Sequence, residues 1–395
     1  MKDYKLHTTE GFKDSCGIEM LVKKEIENRT ISLYSSYGYE LIKTPTVEYI
    51  DVYSSNGMQK PDLYNLINRQ GEVLALCNDM TSSIARFVCS NYNSGIFKYC
   101  YAADTFRYPK MYQGKEHQFL QVGIEFIGEK GIKADVEAIY LAYKSLKNCN
   151  VKNFTIHIGS ALFLECLFND FNISNSLKKI IYELIENKDY VNLRNILNEN
   201  LDKNASSFIY DLMLRGGRIK YIDSLINSLT GSAINELKYL KNIYLMLKEL
   251  NVDNIVFDFS IYSYAKYYTG IIFSVYVDGI SKAVCLGGRC DDLFKDFGSD
   301  FANVGFGLDV NSLSSYALEN NIFSFDNKKY LSYCDTDSFV FSCVNNDLIR
   351  NEGIVVNSLD FNSLDEAKKY ASDNNYDKLI HYTNNTYEIM EVDLW

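Results

Sequence analysis

The chain has 395 residues, 47% of them hydrophobic, and a net charge of −11. That length exceeds one ordinary core and sets an expectation of two or three domains, and the lack of Gly/Ser- or Pro-rich stretches means that they abut rather than hang on tethers. The charge opposes a polyanionic partner, ten scattered cysteines without a Cys-x-x-Cys pair read as reduced thiols with no zinc spacing, and a polar start with no long apolar run points to a soluble, cytoplasmic protein.

After Ser15-Cys16-Gly17, residues Ile18, Leu21, Val22 and Ile26 form an apolar stripe at helical spacing, and Tyr37-Gly38-Tyr39 ends that helix. Glu40 to Glu48 follows as an extended segment; Pro45 restricts it to an edge strand or a strand end, where another chain could pack. Tyr64 to Asn68 and Val73 to Cys77 flank the turn Arg69-Gln70-Gly71-Glu72 and read as a hairpin. Asp79-Met80-Thr81 then stands before a helical pattern carrying Ile84, Phe87 and Val88. Two readings are open for Asp79 and Thr81: they cap that helix, or they line a pocket at a strand's end.

Tyr99 to Gly128 reads as strand, charged loop, strand. In the second strand Leu120, Val122, Ile124 and Phe126 alternate with Phe119, Gln121, Gly123 and Glu125, so one face is core and the other a polar floor. Gly123 leaves no side chain between an amide and a carboxylate to block a small molecule, and Arg107 supplies a fixed cation. This floor suits a zwitterion, with its carboxylate toward Arg107 and its amine toward Glu125. A hairpin with one solvated face is the alternative.

Ala134 to Leu146 is again helical, and Phe154 to Gly159 is a strand whose His157 receives no chemical role. From Ala161 to about Val252 apolar residues repeat at helical spacing, which predicts a helical insertion interrupting a sheet; Arg215-Gly216-Gly217-Arg218 inside it reads as a solvated loop. The sheet resumes at Asn254 to Ser260. Tyr267 to Val277 then runs into Asp278-Gly279, a hairpin turn, and returns as Ile280 to Leu286. Gly287-Gly288-Arg289 marks a close backbone approach with a cation beside it, and Asn303 to Asp309 a strand tight against a neighbour or a ligand. Neither glycine cluster has the spacing of a phosphate or dinucleotide loop. Beyond about Phe325, segments at Ser338 to Val344, Gly353 to Asn357, a helical Leu364 to Ser372, Lys378 to Tyr382 and Tyr387 to Val392 predict a small α/β domain. Its six basic and thirteen acidic side chains, a net of −7, have the wrong sign for RNA.

In their order these motifs resemble the core of class II aminoacyl-tRNA synthetases, the histidyl branch in particular. Gly38 to Pro45 is similar to the first motif, which forms that family's dimer interface, and Thr105 to Tyr108 with Phe119 to Gly128 is similar to the second. Tyr267 to Phe273 and Leu286 to Leu293 resemble its histidine-pocket segments. The resemblance, over about residues 10 to 320, implies an α+β fold: a synthetase-like antiparallel sheet flanked by helices in 1–324, the helical insertion at about 161–252, and a small α/β accessory domain in 325–395. It implies L-histidine as ligand on Asp79, Thr81, Arg107, Gln121, Glu125, Tyr267 and Tyr268, with no cofactor and no metal.

Two departures from the synthetases matter. Ser263 stands where they keep an arginine four positions before the Tyr-Tyr pair, and Ser312 where the third motif keeps one for the ATP phosphates. Fixed cations lost where anionic charge develops cost several kcal/mol of barrier each. That combination, with Asp79-Met80-Thr81 in place of Glu-Gly-Thr, resembles the regulatory subunits of ATP phosphoribosyltransferase. It implies a non-catalytic subunit of histidine biosynthesis that pairs with itself through the first motif and assembles with a short-form catalytic subunit. Binding histidine, it would activate and feedback-inhibit that subunit, without nucleic acid or membrane. An active histidyl-tRNA synthetase is the alternative, opposed by Ser263, Ser312 and the acidic terminal segment.

Overall fold

The structure, a computed structural model, describes residues 4–56, 63–108, 116–264, 268–325 and 328–392. The chain divides into two compact units, Met1–Ile322 and Phe323–Trp395. The first unit opens with α1 (Ile18–Ser36), β1 (Glu40–Leu41), β2 (Val47–Tyr49), β3 (Asn65–Ile67), β4 (Val73–Leu76) and α2 (Met80–Asn91). It continues through β5 (Phe97–Phe106), β6 (Gln118–Ile127), α3 (Ile132–Asn148) and β7 (Phe154–Ser160). Six helices follow: α4 (Ala161–Asp170), α5 (Asn175–Glu186), α6 (Tyr190–Asn200), α7 (Lys203–Leu214), α8 (Ile219–Ser228) and α9 (Ala233–Glu249). The unit closes with β8 (Ile255–Phe257), β9 (Ile271–Val277), β10 (Cys285–Arg289), α10 (Asp291–Asp296), β11 (Asn303–Asp309) and α11 (Val310–Glu319).

Eight of these strands form one sheet in the order β1-β5-β6-β11-β10-β9-β7-β8. It is antiparallel except at its two ends, where β1 runs parallel to β5 and β8 to β7. Period-two alternation gives the sheet two different faces. The cross-strand row Cys100, Ile124, Phe306, Gly287, Phe273, Ile158 lies on one of them. Gly287 there leaves room for Phe273 and Phe306 to meet at 6.2 Å, and Tyr34 of α1 packs edge-on to Phe306 at 5.9 Å. The next row, Tyr99, Glu125, Gly305, Gly288, Ile272, Gly159, lies on the other face, and there α2 and α10 bury Tyr99, Tyr101 and Ile127.

Three expectations are corrected. The strand after Asp278-Gly279 does not begin at Ile280: the turn closes locally, Ile280 N–H to Val277 O at 3.0 Å, and the chain rejoins the sheet only at Val284, whose N–H meets Val275 O at 2.9 Å. A wider loop results because β9 runs on past its last pair with β10, Val275 with Cys285, while Tyr276 and Val277 continue the other edge against Thr155 and Phe154 of β7. The Arg215–Arg218 loop is not simply solvated, since Gly217 exchanges backbone hydrogen bonds of 2.8 and 2.7 Å with Phe257 of β8.

The third correction concerns the second unit, which holds β12 (Lys329–Cys334), α12 (Phe339–Asn351), β13 (Val355–Ser358), α13 (Leu364–Asp373), β14 (Lys378–Thr383) and β15 (Thr386–Glu391), with sheet order β13-β12-β14-β15. Ser338 to Val344 is therefore the start of a helix, and the strand the sequence did not disclose, β12, is central. The β-rich composition of Phe339-Val340-Phe341 masked a helix whose buried side includes polar Ser342 and Asn346; Asn346 bonds Ser332 Oγ and the Tyr382 hydroxyl, each at 2.9 Å.

Candidate functional site

Glu125, in the middle of the sheet on β6, is 1% exposed. Its two carboxylate oxygens are held separately: the Thr81 hydroxyl donates to Oε1 at 2.6 Å and the Asn303 amide to Oε2 at 2.6 Å. Both donors are neutral, and among the described residues no cation stands within ion-pair distance of Glu125. Burial pushes the carboxyl up to about 8, against the pull of Thr81 and Asn303, and nearby Asp79 adds to the rise. A carboxylate so placed is set to receive a positive or N–H-bearing group from outside the protein.

Glycines make the geometry possible, each by leaving space that another side chain fills. An added Cβ at Gly305 would stand 2.3 Å from Glu125 Oε2, one at Gly307 2.1 Å from Gln121 Nε2, and one at Gly288 2.9 Å from the Tyr268 ring. Glu125, Gln121 and Tyr268 thus lie flat over a glycine floor made by β10 and β11. Gly123 corrects an expectation. The space above it is not open, because the Tyr101 hydroxyl would sit 2.5 Å from a Cβ there, and that hydroxyl donates to Gln121 Oε1 at 3.4 Å. Burial raises the hydroxyls of Tyr101 and Tyr268 well above their ordinary pKa, keeping both as neutral donors.

Of the two readings of the Asp79 segment, the structure shows the cap. Asp79 caps α2, accepting from Thr81 N–H at 3.3 Å and from the Ser82 hydroxyl at 3.0 Å; Thr81 turns its own hydroxyl to Glu125. Arg107, exposed just past β5, reaches the Asn78 carbonyl at 3.5 Å and lies over the Phe119 ring at 5.1 Å. Tyr267 lies outside the described residues, as does the Ser263 side chain. Sequence reasoning missed Tyr101 and Asn303, since only cross-strand register sets them on the same face as Glu125. The cation of Gly287-Gly288-Arg289 serves elsewhere: Arg289 forms hydrogen bonds of 2.9 and 2.6 Å to buried Asp135 of α3. Ser312 joins the cap of α11, with its N–H and hydroxyl on Asp309 at 3.0 and 2.8 Å, and Lys282 pairs with the same carboxylate at 2.8 Å.

Residues 11–313 match the family model described as histidyl-tRNA synthetase. A Clostridium kluyveri protein named ATP phosphoribosyltransferase regulatory subunit is 32% identical over 386 residues, 95% of this chain and 98% of its own. The chain belongs to the ATP phosphoribosyltransferase regulatory subunit family. A second regulatory subunit, from Thermoanaerobacter pseudethanolicus, is 28% identical over 95% of this chain and 99% of its own. Among solved structures, a Bacillus halodurans protein titled ATP phosphoribosyltransferase regulatory subunit/histidyl-tRNA synthetase superposes with a TM-score of 0.85 at 24% identity, over 96% of this chain and 99% of its own. A histidyl-tRNA synthetase from Nostoc superposes at 0.79 and 20% identity, over 98% and 97%. The fold of this regulatory subunit is therefore the α+β, class II histidyl-tRNA synthetase type. No helix among its described residues is long and apolar enough to cross a membrane.

Proposed function

We propose that this regulatory subunit is a non-catalytic histidine sensor of the cytoplasm that assembles with a short-form catalytic subunit, activates it and mediates its feedback inhibition. Histidine lies between Glu125 and Arg107, with its amine at Glu125, its carboxylate toward Arg107, and Asp79, Thr81, Gln121, Tyr267 and Tyr268 around it. The observation that carries this reading is Glu125 itself, a fully buried carboxylate with two neutral donors in a chain whose relatives are named regulatory subunits. Ser312 supports the lack of catalysis: it closes a helix cap where a nucleotide-activating enzyme needs a cation. Regulation follows by linkage, histidine binding one assembly state more tightly than the other. The region of Gly38 to Pro45 pairs two copies.

Calorimetry tests the reading. Histidine is expected to bind the complex, and purified subunit is expected to raise the activity of a short phosphoribosyltransferase; no binding up to millimolar histidine would end the proposal. Histidine-dependent exchange between ATP and pyrophosphate would instead mark an active synthetase.

A further inference from the structure

We infer that Asn303 is a ligand-contacting residue of this pocket: its Nδ2 holds Glu125 while its Oδ1 accepts a nitrogen-bound proton of the bound amino acid. The inference rests on the histidine reading above. Asn303 is 0% exposed and occupies the same sheet face as Gly305 and Gly307, one strand from Glu125. Its Nδ2 faces both Glu125 Oε2 at 2.6 Å and Cys290 Sγ at 3.1 Å. Among the described residues Oδ1 is buried with no hydrogen-bond partner. Interiors rarely leave such an acceptor unmet. An amide oxygen without a partner, on a side chain that holds Glu125 by its other arm, matches a ligand that brings N–H groups, and both the ammonium and the imidazole ring of histidine qualify.

Calorimetric titration of wild type, Asn303→Ala and Asn303→Asp with three ligands separates the possibilities. The ligands are histidine, imidazolepropionate, which lacks the ammonium, and thienylalanine, which lacks the ring N–H. Asn303→Ala is expected to weaken histidine by about 10- to 100-fold, the usual effect of losing a hydrogen bond to a charged or strongly polar group. The loss should vanish for imidazolepropionate if the ammonium is the donor, or for thienylalanine if the ring is; either pattern supports the inference. Asn303→Asp, nearly isosteric, sets a second carboxyl against Glu125 and is expected to move the pH of half-maximal binding upward, which checks the contact to Glu125, while the three-ligand comparison checks the contact of Oδ1 to the ligand. Equal losses for all three ligands, or unchanged histidine affinity in a folded variant, overturn the role of Asn303 and leave the histidine site standing. Failure of wild type to bind any of the three removes both.

Discussion

Two buried acids on opposite sides of one sheet have been given opposite company. Asp135, 1% exposed, receives two hydrogen bonds from Arg289 and a third from Tyr239 at 2.6 Å. Burial opposes the Arg289 charge, yet Asp135 and Asp291 hold the guanidinium above its ordinary pKa. Glu125, equally buried, has a hydroxyl and an amide as its side-chain partners among the described residues. The first acid is closed by its own chain, and its role ends in stability. The second has no cation beside it among the described residues and keeps its proton up to about 8, and glycines clear the floor around it.

Breaking the complete pair should have the largest effect. Arg289→Ala strands a buried carboxylate and is expected to destabilise the protein by about 3–5 kcal/mol in denaturant titrations, with Asp135→Asn in the same direction but smaller. Gly305→Ala should come next. Its methyl meets the Ile124 carbonyl at 2.4 Å as well as Glu125, so a loss of about 1–3 kcal/mol should accompany loss of histidine binding in calorimetry.

Glu125→Gln sharpens the contrast because its sign depends on pH. A folded pKa of about 8 above an ordinary 4.5 means that the native chain holds a proton the unfolded chain has released in between. Stability should therefore fall as pH rises from about 4.5 to about 8. Glu125→Gln is expected to flatten that slope, leaving the variant more heat-stable than wild type at pH 8 while histidine binding falls at least about tenfold. The same proton must leave when a cationic ligand arrives, so titrations at neutral pH in buffers of different ionisation heat should show proton release. The smallest effect is expected from Thr81→Val, which removes one donor to Glu125: a loss of about 1 kcal/mol in binding and a rise in the pH at which histidine binds.

Much of this was legible in the sequence because periodicity reports burial. The alternation from Phe119 to Phe126 disclosed the two-faced strand and placed Glu125 and Gln121 together, and the helical spacing after Ala161 disclosed the insertion between β7 and β8. Where composition and spacing disagreed, as at Phe339 to Val344, strand-forming residues concealed a helix, because Ser342 and Asn346 face inward through hydrogen bonds that no hydrophobic pattern records. The Asp278-Gly279 turn was read correctly as joining β9 to β10 in a hairpin and wrongly as a tight one, because the point where the return strand rejoins, Cys285 opposite Val275, is set by strand pairing and not by the turn dipeptide.

The sequence by itself determined which residues carry charge on the floor and that glycines attend them. Tertiary structure alone decided how those parts were assigned. Register across β5, β6, β11 and β10 put Tyr101 over Gly123 and set Asn303 against Glu125, and α3 brought Asp135 to Arg289 on the opposite face. The reason is that a strand's own alternation fixes only which side each residue faces, whereas the partner it meets there is fixed by the strands folded in beside it from far along the chain.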